Sequence, residues 1–365
     1  MSRAFGIVNF AGNNIQGNPM QAYRPTGAIS FLGRYRVIDF PISNMSNSGI
    51  DSIQVYIRRK PRSLVEHLGT GRHYNINSKR GNLNLLFCEN GDENSIYSTD
   101  LAAYVENLDA IEEMSEEYVV IVPSYMVYTV KILPKTPGMI MINNQNVDNA
   151  KDHFLNCQVL NLNKQKGVLS LEPNHGNVKN RNIFMDTYVM KKEIFLDLID
   201  KGRKLSSVYT LADALNESCG EMDIRGVSHR GYFAAMTDLK SYFDANEELL
   251  DRRKARELFH EEWTVYTRTN DSCPTQYFEG SNVKSSVISN GCLIEGMVEN
   301  SIIGRGCEIR KGAVVRNCVV NADVVIGKDV HVENMVIDKH AKLIHSNQII
   351  AEPEKPGYIR RGDKL

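Results

Sequence analysis

Between residues 288 and 343, aliphatic residues recur every six positions. Ile288 and Ile294 are so spaced, as are Ile303, Ile309 and Val315, then Val320, Ile326 and Val332, then Ile337 and Leu343. Gly304, Gly306, Gly312 and Gly327 fall between them. This is the hexapeptide signature of a parallel β-helix, in which three six-residue faces make one triangular coil and each coil stacks on the next. The aliphatic residue points inward, and Cys292, Cys307 and Cys318 help fill that interior. Breaks in the count, such as Ile294 to Ile303, mark loops.

The texture upstream is different. AFGIVNFAG reads as a buried strand entering a glycine-containing loop, FPISNMSNSGI as a helix ending at Gly49, and SIQVYI as the next strand. SLVEHLG opens a helix that stops at glycines 69 and 71. TDLAAYVENLDAIEEM repeats Leu101, Val105, Leu108 and Ile111 at helical spacing, and strand YVVIVPS follows. Such alternation implies a mostly parallel sheet with helices on both faces, whose ligands bind at the carboxyl ends of the strands. The charged stretch DANEELLDRRKARELFHEEW reads as a helical connector. The expected organisation is an α/β domain over 1–243, a connector over 244–280 and the β-helix over 281–365.

The 365 residues suffice for two or three domains. A net charge of −1 gives no general attraction to nucleic acid or an anionic membrane. Seven cysteines with no CxxC pair point to reduced thiols in a cytosol rather than a disulfide framework. No signal-peptide core and no long apolar run occur, so a cytoplasmic protein is expected.

Three stretches could carry chemistry. GIVNFAGNNIQGNPM, with glycines at 6, 12 and 17, is either a phosphate cradle or an ordinary strand-to-helix loop. GRYRVIDFPISN places Arg34, Arg36 and Asp39 together, with an Arg36–Asp39 ion pair as the plain reading. YIRRKPR gathers Arg58, Arg59, Lys60 and Arg62 at a strand tip, as a solvated turn or an anion site.

GRYRVIDFPISNMSNSGI, SLVEHLGTGRHY, SYFDANEELL and the hexapeptide region together resemble the glucose-1-phosphate adenylyltransferase (ADP-glucose pyrophosphorylase) family over nearly the whole chain. The resemblance implies a Rossmann-like nucleotidyltransferase domain followed by a left-handed parallel β-helix. It also implies ADP-glucose synthesis from ATP and glucose 1-phosphate, with cations around the triphosphate and two carboxylates on Mg²⁺.

The residues that would do this chemistry are missing here. The family's LAGGxGxRL loop is FAGNNIQGNPM, without its Arg. RAKPA is RPTGA, with Arg24 kept and Thr26 at the Lys. GTADA appears as TDLAA. SGDHIY is PSYMVY, with Tyr125 at the first metal carboxylate. YWRDVGT is YFAAMTD, with Ala235 at the second and Ala234 at the neighbouring Arg. The sugar-phosphate EKP motif is SLEPNHG, with Glu172 and Pro173 but no Lys between them. The stretch 129–146 looks short for the family's helix and strand, and its prolines and glycine oppose a helix.

The pattern resembles the GlgD-type regulatory subunit of Gram-positive bacteria. That implies little activity alone, no metal or cofactor of its own, and a heterotetramer with a catalytic subunit that uses Mg²⁺. Arg24 and Arg36 match residues that bind sugar phosphate, phosphate or sulfate effectors in the family, while its nearby His is Ser30 here. The alternative is an active sugar-phosphate nucleotidyltransferase with a rearranged metal site, for which Asp186 and Asp238 are the available acids. A hexapeptide acyltransferase using His331, His340 or His345, and an assembly protein without ligand, are the remaining readings.

Overall fold

The computed structural model describes residues 3–12, 18–77, 79, 81–88, 99–132, 139–204 and 210–365. The chain starts with β1 (Ala4–Asn9) and a small hairpin, β2 (Ser30–Phe31) and β3 (Tyr35–Arg36), which leads into α1 (Asp39–Asn47). β4 (Ile53–Ile57), α2 (Arg62–Leu68) and β5 (Leu83–Phe87) come next. The helical stretch divides into α3 (Asp100–Glu106) and α4 (Leu108–Glu112) before β6 (Tyr118–Pro123) and β7 (Met126–Tyr128). Four longer strands follow: β8 (Ile140–Val147), β9 (Gln158–Leu162), β10 (Val168–Pro173) and β11 (Arg181–Lys191). Helices α5 (Lys192–Lys204) and α6 (Leu211–Ser218) precede β12 (Ile224–Ser228) and β13 (Phe233–Ala235). Local chemistry sets several boundaries. Thr210 and Asp213 form a capping box on α6, and Gly69 ends α2 at a φ of +51°.

Among the described residues the main sheet runs β10-β9-β11-β6-β1-β4-β5, with β8 paired to β11 and β12. β1 is parallel to β4 and β6, and β4 to β5. The expected parallel sheet therefore holds for its first half. The second half is largely antiparallel, because β11 runs against β6, β8 and β9. Alternate residues feed two cores. Phe5, Ile7, Val119 and Ile121 enter one, while Val8, Val120 and Val122 enter the other. Both faces are covered, so these strands are apolar throughout. Within 129–146 the described residues form no helix, and β8 occupies its end; residues 133–138 lie outside the described residues.

Two helices follow, α7 (Leu239–Glu248), which begins ahead of residue 244, and α8 (Arg252–Leu258). The first strand of the β-helix, Gln276–Tyr277, stands ahead of residue 281. Three five-stranded parallel sheets then form a triangular stack. Ile294, Ile303, Ile309, Val315, Val320, Ile326, Val332, Ile337 and Leu343 fill its interior with Cys292, Cys307 and Cys318. All seven cysteines are free thiols. The later coils take seventeen residues rather than three full sixes, since one side is a residue short (Val315 to Val320, Val332 to Ile337).

One side of the β-helix is apolar outside as well as inside. Ile302, Val319 and Val336 point outward and pack with Phe31, Leu32, Phe40 and Tyr242. The hairpin turn presses closely here. Gly33 has a φ of +67°, and a Cβ would come within 2.4 Å of Ser289 Oγ and 3.1 Å of Ile303 O. Glycine satisfies both the left-handed backbone and the contact. Among the described residues no helix is long and apolar enough to cross a membrane.

Candidate functional site

β7 and β13 form a two-stranded ribbon beyond the tip of β6, pairing Ala235 with Met126. The Met236 N–H donates to the Tyr125 carbonyl at 2.8 Å. The two positions read as those of missing metal carboxylates are thus brought together. Tyr125 is 5% exposed and Ala235 3%, and both belong to an apolar cluster with Met126, Tyr128, Phe154 and Phe233. The rings of Phe154 and Phe233 stack at 5.0 Å and 14°. Neither position supplies a carboxylate, although Asp244 and Glu248 line a small cavity beside Ala235.

Asp186 is the acid bonded to Tyr125. Its Oδ2 accepts from the Tyr125 hydroxyl at 3.3 Å and its Oδ1 from the Tyr188 hydroxyl at 2.8 Å. Burial raises its pKa, against the lowering effect of these two bonds. Its φ of +48° is a left-handed conformation in a non-glycine residue. Asp238, the other acid considered, caps α7 by accepting from the Ser241 N–H at 2.7 Å. Among the described residues no group of three or more His, Cys, Asp or Glu could hold a metal ion. The donor set at Tyr125 and Ala235 therefore does not suit Mg²⁺.

Asp100, in the TDLAA segment, accepts from the backbone N–H groups of Leu101 and Leu211. Burial, with Asp186 nearby, pushes its carboxyl up to about 7. Thr26 is buried, and its Oγ1 accepts from Gln21 Nε2 at 2.6 Å. The loop 6–20 is described apart from residues 13–17, so its Gly17 lies outside the described residues.

Arg24 and Arg36 do not share one cavity. Arg24, 4% exposed, is bound through its guanidinium to both carboxylate oxygens of Asp338, which is 0% exposed. Asp338 also accepts from the Tyr358 hydroxyl at 2.9 Å and the Lys339 N–H at 2.7 Å. Arg24 is thus a buried tie between the α/β domain and the β-helix. It lines a cavity of about 380 Å³ at the tips of β1 and β4, together with Phe10, Ala11, Thr26, Arg58 and Ser124.

The Arg36–Asp39 ion pair is replaced by another arrangement. The Arg36 guanidinium donates to the Ser63 carbonyl, and only its backbone N–H reaches Asp39, at 2.8 Å. Asp39 instead takes His67 Nε2 at 2.5 Å and the Tyr74 hydroxyl at 2.6 Å. Burial opposes its ionisation, but these donors outweigh it and hold the carboxyl below its ordinary range. The other side of Arg36 lines a polar cavity of about 500 Å³ between the two domains. Arg34, Arg268, Arg305, Lys339 and Ser30 share it. Among the described residues Asp271 is the one carboxylate in its lining.

The remaining candidates are engaged in structure. Lys60 donates to the Gln21 and Ala22 carbonyls at 3.1 and 2.5 Å, and exposed Arg62 pairs with Glu66 at 2.8 Å. Glu172 is exposed and lies 3.6 Å from Arg181. His331 lies on a β-helix strand rather than a loop, 3.4 Å from Glu333, while His340 and His345 are exposed.

Arg305, Lys339 and Arg268 escaped the reading of the sequence. Arg305, Ala322 and Lys339 are seventeen residues apart, one coil each, three places after Ile302, Val319 and Val336. Counting by coils along that side would have aligned the two cations. Arg268 lies in an extended linker where no periodicity marks it.

Comparison with known proteins agrees with this architecture. The GlmU-like C-terminal hexapeptide family matches residues 274–357. The chain is 27% identical over 345 residues to the glycogen biosynthesis protein GlgD of Bacillus subtilis, covering 94% of this chain and 91% of that one. It is 31% identical over 303 residues to the glycogen biosynthesis protein GlgD of Geobacillus stearothermophilus, covering 81% and 78%. It is also 26% identical over 347 residues to the glucose-1-phosphate adenylyltransferase of Fervidobacterium nodosum, covering 92% and 83%.

Proposed function

This chain belongs to the GlgD family of glycogen biosynthesis proteins, and we propose that it is a regulatory subunit of glucose-1-phosphate adenylyltransferase with little or no turnover of its own. One observation carries the reading. Tyr125 and Ala235, at the two positions where the chemistry needs metal carboxylates, sit in an apolar cluster closed by a phenylalanine stack. Transfer of a nucleotidyl group needs cations and Mg²⁺ against the triphosphate charge, and losing them costs several orders of magnitude in rate. Mg²⁺ then belongs to a catalytic partner, and this chain acts within a mixed tetramer with that subunit.

Its contribution is an anion site. A sugar phosphate, phosphate or sulfate enters the interdomain cavity and meets Arg36 from the α/β domain and Arg305 from the β-helix. Arg24 acts from behind, by holding Asp338 and with it the coil that carries Lys339. An anion bridging the two domains favours the arrangement in which both cations face it, and this differential affinity is what regulation requires. In calorimetric titrations with inorganic sulfate and a sugar phosphate, Arg36→Ala or Arg305→Ala should each weaken binding at least about tenfold, the scale of one charge-assisted contact. In the mixed assembly the same variants should blunt the effector response. Unchanged affinity and unchanged response in both variants would remove the cavity from the account.

A further inference from the structure

Among the described residues Lys339 is the one primary amine lining the interdomain cavity. Among the described residues its ammonium has no hydrogen bond and no ion pair. The carboxylate next to it in sequence, Asp338, is already taken by Arg24, the Tyr358 hydroxyl and the Lys339 backbone N–H. Around it stand Arg34 and Arg36 from the β2–β3 hairpin, with Arg24 behind Asp338. His67 of α2, Arg268 and exposed Asp271 of the linker, and Arg305 of the β-helix line the same cavity, and Arg361 also repels its charge. This is an amine in a half-buried, strongly cationic enclosure.

We propose that Lys339 Nζ is a site of reversible carbamate formation with carbon dioxide, the product being held by the guanidiniums of Arg36 and Arg305. The Nζ lone pair attacks the carbon, forming an N–C bond. One C=O π pair moves onto oxygen, and a proton leaves Nζ for solvent, so that amine and carbon dioxide give carbamate and a proton. The surroundings favour each requirement. Burial, then repulsion by Arg36 and Arg24, lowers the amine to about 7, so a neutral nucleophile is present at neutral pH. Carbamate replaces a positive charge among arginines by a planar negative group, which suits the donor fork of guanidinium. A Schiff base with an aldehyde would bring no such anion. The cavity is wide enough for the small electrophile and for the product. The inference rests on the enclosure of Lys339, not on the effector reading of the same cavity.

The full chain incubated with carbon-13-labelled bicarbonate should show a protein-bound carbonyl resonance that is lost in Lys339→Met and in Lys339→Arg. Alkylative trapping followed by mass spectrometry should place the adduct on Lys339. The adduct should fall several-fold as the pH drops from about 8 to about 6, as the amine protonates. Inorganic phosphate, competing for the guanidiniums, should also reduce it several-fold. Unfolding midpoints of the two variants establish that each is folded, and either folded variant suffices. Absence of a bound resonance in the wild type, or its persistence in a folded variant, overturns the proposal. A carbamate indifferent to phosphate would overturn the role of Arg36 and Arg305. Phosphate affinity, titrated separately without bicarbonate, tests the effector reading by itself.

Discussion

Arg24 and Asp338 join the α/β domain to the β-helix through a charge pair held away from water. RPTGA marks the position, but nothing near it in sequence reveals Asp338, which is brought to it only when the β-helix folds back on the hairpin. Both groups are almost wholly buried, and removing one leaves the other charge uncompensated. Asp338→Ala should therefore cost about 3–5 kcal/mol, read as a lower urea midpoint at unchanged slope. Arg36 and Asp39 teach the converse. Three residues apart, they read as an ion pair, yet His67 and Tyr74 take the carboxylate because α2 and the turn after it close over it. Asp100 offers a pH test. Its pKa is raised in the folded state to about 7 from an unfolded value near 4, so its contribution is fully present below about 4 and lost as pH rises through about 7. The stability difference between wild type and Asp100→Asn should move in favour of the variant across that window and then level off. A difference independent of pH would contradict the assignment.

Elements were more readable than their pairings. The six-residue spacing gave the β-helix and its interior because every coil repeats the same demand, an aliphatic side chain facing the axis. The strands and helices of the α/β domain were likewise visible from apolar runs and their terminating glycines. The antiparallel half of the sheet was not, since register between distant strands leaves no local mark. The seam between domains was written in the sequence but not read. Ile302-Ile303, Val319-Val320 and Val336-Ile337 are doublets in which one residue faces the axis and its neighbour the α/β domain. A β-helix side with water outside would carry a polar residue at the first place. Ile302→Ala should cost about 2–5 kcal/mol by leaving a void in this seam. Leu293→Ala, at a 40% exposed site on another side, should stay within about 0.5 kcal/mol. Equal effects would mean that the seam adds nothing beyond the coils themselves.

At the scale of the whole molecule, two features support the proposed regulatory role. At the tips of β6 and β13, the positions read as those of metal carboxylates, Tyr125, Phe154, Phe233 and Ala235 form an apolar cluster. The boundary between domains meanwhile keeps an open cavity rich in arginine. The first was visible in single residues, because each substitution stands inside a recognisable motif. The second was only half visible, because its cations come from a hairpin, a linker and two coils that sequence order keeps apart. On the proposed reading, an apolar cluster at the metal-carboxylate positions beside an arginine-rich interdomain cavity suits a chain that biases a partner rather than one that turns over substrate. Pyrophosphate release from ATP, Mg²⁺ and glucose 1-phosphate tests this most directly, with this chain alone, the catalytic homologue of the same cell alone, and the two co-expressed. No release above background is expected from this chain, and the mixture should show a rate or effector response that the homologue lacks by itself. Robust turnover by this chain alone would contradict the regulatory reading.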